Sequence, residues 1–204
     1  MILYRPIGLI ELRLIYESGL KTFPPRLPEQ PIFYPVLNIV YARQIAFAWN
    51  TKSEPFAGYV TEFEIDDNYI TQFDQHIVGG VQHAELWIPS EKLDEFNQHI
   101  IGQLKIVDAF FGEKYHGFIG KSTNLKDKDA NEQFILISKA YEYSPMDVHI
   151  EIIVNKEAIF LNYPFWQKHD FTNEGFTEDQ RKKTLDAIKK SWTLSFPDVP
   201  LGIV

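Results

Sequence analysis

Apolar residues in the first half of the chain recur at both helical and strand spacings. Steps of three and four residues, such as Leu9, Leu12 and Ile15, indicate amphipathic helices. Alternation over residues 58–65, with Phe63 and Ile65 turned inward, indicates a half-buried strand. On these criteria the pattern predicts helices over 9–17, 38–50 and from Pro89 and Ser90 onward, and strands over 2–5, 58–65, 81–88 and 104–111.

A proline-rich segment separates the first two predicted helices. Residues 22–35 contain five prolines, with Arg26 and Glu29 among them. Proline fixes φ and removes a backbone donor, so this segment is predicted to be a stiff, extended loop. A loop of this length without regular structure is more often functional than a short connection.

The second half of the chain shows a different composition. Residues 120–133 contain one large apolar residue in fourteen and are predicted to be an exposed loop or linker. Strands are predicted over 134–143 and 148–155, an aromatic loop over 160–171, and a helix from a cap at Thr177 to Trp192. Strands and helices mix without strict alternation, which predicts an α+β fold. We expect a first domain over 1–112, a linker over 113–133 and an α+β extension over 134–204.

Composition and charge narrow the possible functions. The chain has 204 residues and no cysteine, which excludes disulfides, a thiol nucleophile, cysteine-based zinc sites and iron–sulfur clusters. The net charge of −8 disfavours nucleic-acid binding. Residues 1–50 carry five basic and three acidic side chains, a net +2 that suits a small anionic ligand, whereas residues 51–112 carry three basic and eleven acidic ones. Ordinary solubility accounts for the acidity equally well. No membrane span or signal peptide is visible, so a cytoplasmic location is expected.

Two candidate ligand sites are weak. Gly120, Lys121 and Ser122 resemble the end of a phosphate-binding loop, but Tyr115 occupies the position that the loop reserves for glycine. His83 and Glu85 lie two residues apart on a predicted strand, where a third ligand such as His76 or His149 would complete a metal site. Such pairs are common by chance, and we expect no metal.

A third set of candidate site residues lies within the first 112 residues. It consists of Arg5 on the opening strand, Tyr34 before a helix that contains Tyr41, and the run from Gly79 to Pro89 that includes His83 and Glu85. This order resembles the ADP-ribosyltransferase fold, whose members carry a basic residue on the first strand, an aromatic residue on a second and a glutamate on a later one. The opening is also similar to bacterial proteins labelled ADP-ribosylation/crystallin J1.

The resemblance implies that NAD is the substrate and that ADP-ribose is transferred to an unknown protein or nucleotide acceptor. Arg5 would contact a phosphate or ribose, and Tyr34 or Tyr41 would stack on the nicotinamide. Glu85 would stabilise the positive charge that develops on the ribose, and His83 would serve as a base. The sequence departs from the family at His83, where many members have Gln or Glu, and it lacks the Ser-Thr-Ser triplet of one branch.

The enzyme hypothesis makes a geometric prediction. Arg5, one of the two tyrosines and Glu85 should converge on one open cleft, and placement of Arg5 and Glu85 on opposite faces would contradict it. The alternative is a non-enzymatic acidic binding protein, such as a toxin antidote or a relative that retains the fold without the reaction. In that case Arg5 pairs with Glu11 or Glu85, and the tyrosines are core aromatics.

Overall fold

The computed structural model describes residues 1–80, 82–120 and 123–204, and it contains two compact units. Unit 1 is Met1–Lys114 and unit 2 is Tyr115–Val204. The chain is α+β, as the sequence predicts. Val81, the expected start of one strand, and Lys121 and Ser122, two residues of the dismissed phosphate-loop motif, lie outside the described residues.

Unit 1 contains most of the strands that the hydrophobic pattern predicts. Its helices are α1 (Leu9–Glu17), α2 (Ile39–Ile45), α3 (Asp67–Ile70) and α4 (Leu93–Gln98). Its strands are β1 (Ile2–Ile7), β2 (Ile32–Phe33), β3 (Ala57–Ile65), β4 (Gln75–Ile77), β5 (Ala84–Leu86), β6 (Ile88–Pro89) and β7 (Ile100–Phe111). The strand predicted over 81–88 is thus two short strands. The helix predicted over 38–50 is α2 followed by a π-helical turn at Ala46–Asn50.

The central sheet is antiparallel, with strand order β1-β3-β7. Val36 extends this sheet because it pairs with Tyr4 of β1 on one side and with Glu85 of β5 on the other. The hairpin of β4 and β5 is thereby joined to β1, and β4 forms the outer edge.

The two faces of the sheet have different cores. The face that carries Tyr4 packs on α2, with Val36, Tyr41, Ala42 and Val60 in one cluster. The opposite face is aromatic, with contacts among four phenylalanines: Phe23, Phe33, Phe63 and Phe96. The sheet therefore separates the environments of neighbouring residues on β1.

The regular elements among the described residues of unit 2 are all helices, which corrects the expectation of an α+β extension. Its helices are α5 (Ala130–Tyr143), α6 (Pro145–Val154), α7 (Lys156–Lys168) and α8 (Glu178–Ser195). The strands predicted over 134–143 and 148–155 are α5 and α6, and most of the predicted aromatic loop is α7. The helix capped by Thr177 is confirmed.

The helical signal in α5 is a capping box. Asp129 accepts from the backbone N–H of Glu132, and the Glu132 side chain accepts from the backbone N–H of Asp129. Phe134 and Ile137 then recur at helical spacing on the buried face. The expected linker over 113–133 contributes Tyr115 and Leu125 to the core of unit 2, so much of it is packed rather than exposed. Within the described residues, no helix combines the length and the apolar character needed to cross a membrane.

Gly58 on β3 provides a test of the packing in unit 1. A Cβ at this position would lie 2.1 Å from the carbonyl oxygen of Ala46, in the π-helical turn. We expect Gly58→Ala to lower the free energy of unfolding by about 1–3 kcal/mol. For a chain of 204 residues, that change corresponds to a fall in melting temperature of roughly 2–12 °C. Gly8→Ala is the control, because its Cβ would meet only an atom at ordinary contact distance. Equal melting temperatures for the two variants would contradict the close approach.

Candidate functional site

The register of the sheet places Arg5 and Glu85 on opposite faces. Residues directly opposite each other in antiparallel pairs point to the same face, so Tyr4, Val36 and Glu85 share one face. Successive residues on a strand alternate, so the neighbouring Arg5 points to the other. The side-chain contacts agree, because Tyr4 packs with the α2 cluster and Arg5 lies over Phe33.

Arg5 is buried and has three partners within unit 1. Its Nε donates to Glu11 Oε1 at 3.1 Å, and its Nη1 donates to the carbonyl oxygen of Tyr34 at 3.0 Å. The guanidinium carbon also lies 4.5 Å from the centre of the Phe33 ring, in a cation–π contact. These contacts fit the structural role for Arg5, with Glu11 as its ion-pair partner.

Glu85 is 9% exposed, and its carboxylate is bound by an indole. Oε1 of Glu85 accepts a 2.7 Å hydrogen bond from Nε1 of Trp87. The Trp87 ring contacts Tyr34 edge-on at 6.0 Å and stacks on His76 at 4.1 Å. Glu85 is therefore held within an aromatic group rather than displayed at the surface.

The rings of Tyr41 and His83 stack on each other, on the same side of unit 1 as Glu85. Their rings stack with centroids 4.3 Å apart, so His83 occupies one of the two ring faces that a nicotinamide would need. The His83 nitrogens lie 3.2 Å from Gln44 Oε1 and 3.1 Å from the Val78 carbonyl oxygen. Burial, and then the negative charge of Glu85, raise the pKa of Tyr41 above its ordinary value. Tyr41, His83 and Glu85 are therefore neighbours.

His76 lies directly opposite Glu85 in the hairpin of β4 and β5. The pairing therefore places His76, which the sequence indicates as a candidate third metal ligand, next to Glu85. However, no group of three or more histidine or acidic side chains in the described part of the chain is arranged to hold a metal ion.

The residues implied by the resemblance therefore do not form a single NAD cleft. The predicted convergence of Arg5 and Glu85 on one open cleft is wrong, because the sheet lies between their side chains. What connects them is a chain of contacts through Tyr34, whose carbonyl oxygen binds Arg5 and whose ring contacts Trp87. The residues present do not fit a dinucleotide that touches Arg5 and Glu85 together.

On the Arg5 face, unit 1 contains a polar cavity of about 280 Å³. Its walls are the end of β1, the start of α1, the proline-rich loop and the segment after the π-helical turn. The polar residues that line it are Arg5, Glu11, Arg26, Gln30, Asn50, Ser53 and Glu54. The sequence pattern assigns no role to Arg26. Its position among the prolines of a loop that is predicted to be functional was the signal that could have identified it.

Unit 2 contains a larger groove of about 780 Å³ between α8 and the junction of α5 with α6. Apolar side chains such as Val148 and Leu194 line it together with Lys183 and Lys190. Neither arginines nor carboxylate pairs converge there, so the groove offers no equivalent of the polar cavity in unit 1.

No protein-family model matches the chain, and no curated protein or solved structure matches it at a significant level. The geometry of the chain itself therefore carries the functional argument.

The bond between Trp87 and Glu85 can be measured by combining two substitutions. We expect Trp87→Phe to cost about 1–3 kcal/mol of unfolding free energy, because it leaves a buried carboxylate without its indole donor. In the Glu85→Met background the same change should cost less than about 1 kcal/mol. Urea denaturation followed by circular dichroism provides the measurement. Trp49→Phe, at a residue 66% exposed, is the control. A Trp87→Phe cost that is the same in both backgrounds would contradict the assignment.

Proposed function

We propose that unit 1 is a ligand-binding module that does not cleave NAD. The observation that carries this proposal is that Arg5 and Glu85 leave opposite faces of the sheet. Cleavage of the nicotinamide–ribose bond requires a carboxylate and the phosphate-binding groups on one substrate, held in one cleft. Two groups separated by a sheet do not meet this requirement.

The bonding of each implied residue supports the same conclusion. Arg5 is engaged by Glu11, the Tyr34 carbonyl oxygen and the Phe33 ring. Glu85 accepts from Trp87, and His83 lies against Tyr41. Charged and aromatic groups that are buried and paired in this way stabilise a fold, which is their ordinary role in proteins.

A second candidate function is NAD-dependent ADP-ribose transfer, and one observation favours it. Glu85 is a buried carboxylate beside Tyr41 and Trp87, which are the residue types that the chemistry at a ribose requires. On this second proposal Arg5 has no contact with the substrate and only positions Tyr34. The two candidates differ in what Glu85 does.

Incubation with NAD separates the candidates. We expect no release of nicotinamide above the buffer blank when the purified chain is incubated with millimolar NAD, because the implied groups do not share a cleft. Chromatographic detection of free nicotinamide over several hours provides the measurement. Any change in melting temperature caused by NAD should be the same in the wild type and in Glu85→Gln.

The control for this experiment is Trp49→Phe, which alters an exposed aromatic residue away from Glu85. Nicotinamide release by the wild type and by Trp49→Phe, together with its loss in Glu85→Gln, would overturn the binding proposal and establish the transferase candidate.

A further inference from the structure

Arg26, like Tyr69, is a described residue of unit 1 with a buried polar atom that has no hydrogen-bond partner. Its Nη2 donates to Gln30 Oε1 at 2.6 Å, but its Nε is buried and has no hydrogen-bond partner. A buried N–H without an acceptor is unfavourable, and such groups are uncommon in folded proteins. Arg26 also lines the polar cavity, so an oxyanion bound there meets its guanidinium group, and the Nε gains an acceptor when the side chain shifts toward the ligand.

A second arginine lines the same cavity, together with the carboxylates of Glu11 and Glu54. Arg5 lines it, and its charge is compensated by Glu11. Burial, and then the positive charge of Arg5, lower the pKa of Arg26 below that of a free guanidinium. The two guanidinium groups therefore repel each other, and an anion bound in the cavity would attract both of them.

The proline-rich loop holds Arg26 in place before any ligand arrives. Phe23, three residues earlier, is buried, and its backbone exchanges two 2.9 Å hydrogen bonds with the side chain of Asn97. Pro24 and Pro25 follow directly and restrict the backbone that leads to Arg26. An arginine held in this way loses little conformational entropy when it binds a ligand.

We propose that this cavity binds the phosphate group of a small organic phosphate, with Arg26 as the contacting residue. A guanidinium group matches phosphate oxygens in geometry, and a doubly charged phosphate attracts it more strongly than a singly charged carboxylate does. A volume of about 280 Å³ leaves room for a phosphate and a few attached carbon atoms. Asn50 and Ser53 provide neutral polar groups for the remainder of the ligand.

This inference rests on the proposed binding function and names its site and ligand class. It also separates the site from the face that carries Glu85. A phosphate in this cavity lies on the opposite side of the sheet from the carboxylate, so it makes no contact with Glu85.

Isothermal titration calorimetry on the full chain tests the proposal, with glycerol 3-phosphate, inorganic phosphate and acetate as probes at constant ionic strength. We expect glycerol 3-phosphate to bind, inorganic phosphate to bind more weakly, and acetate to give no heat. Arg26→Gln should weaken the binding of glycerol 3-phosphate by at least about tenfold. Arg26→Lys should recover only part of this loss, because an ammonium preserves the charge but not the planar fork.

The matched control is Arg13→Gln, which removes one positive charge from the exposed face of α1 and should leave binding unchanged. A melting curve for each variant confirms that it is folded before titration, and Arg26→Lys tests the site if Arg26→Gln does not fold. Binding of acetate as tight as that of glycerol 3-phosphate would overturn the ligand class. Absence of phosphate binding, or equal losses in Arg13→Gln and Arg26→Gln, would overturn the site.

The outcomes of this titration can be distinguished from those of the NAD incubation. Failure of phosphate to bind removes the Arg26 site but says nothing about Glu85. Nicotinamide release that depends on Glu85 removes the proposed function even when phosphate binds to the wild type and not to Arg26→Gln.

Discussion

The pairing of Val36 with both β1 and β5 is the constraint on which the arrangement of unit 1 depends. Through this single residue, strands that are about 80 positions apart in sequence become neighbours in one sheet. Once Tyr4, Val36 and Glu85 lie side by side, the alternation of a pleated strand determines the face of every nearby side chain. Arg5 then points away from Glu85, and a shift of one residue in either pairing would place both on the same face.

The four residues from Phe33 to Val36 connect the two faces of the sheet. The Phe33 ring lies under the Arg5 guanidinium, and the Tyr34 carbonyl oxygen accepts from it. The Tyr34 ring contacts Trp87, which donates to Glu85. A perturbation at Arg5 therefore has a physical route to the Glu85 environment, although no ligand placed on one face contacts both. Motifs that are ordered in sequence can be linked in this manner without forming one site.

The sequence predicts α1, β3 and α8 well, because the periodic pattern of each has a cap or a turn beside it. It fails in α5, where Phe134, Ile137 and Ser138 recur at helical spacing but the run of apolar and aromatic residues resembles a strand. The capping box at Asp129 and Glu132 was the available evidence for a helix. Proximity of Tyr41, His83 and Glu85 follows from the order of motifs. The separation of Arg5 from Glu85 does not, because it depends on the non-local register at Val36.

The contrast between Arg5 and Arg26 shows why one arginine belongs to the fold and the other to a ligand. A buried guanidinium is tolerated when its donors are satisfied and its charge is balanced, and Arg5 has a carboxylate, a carbonyl and an aromatic face for this purpose. Arg26 has one amide oxygen, an unpaired buried Nε and a like charge nearby. Pro24 and Pro25 also restrict the backbone that leads to Arg26. An anion bound at this cavity would offset the repulsion between the two guanidinium groups, which is why we place the ligand at Arg26 and not at Arg5.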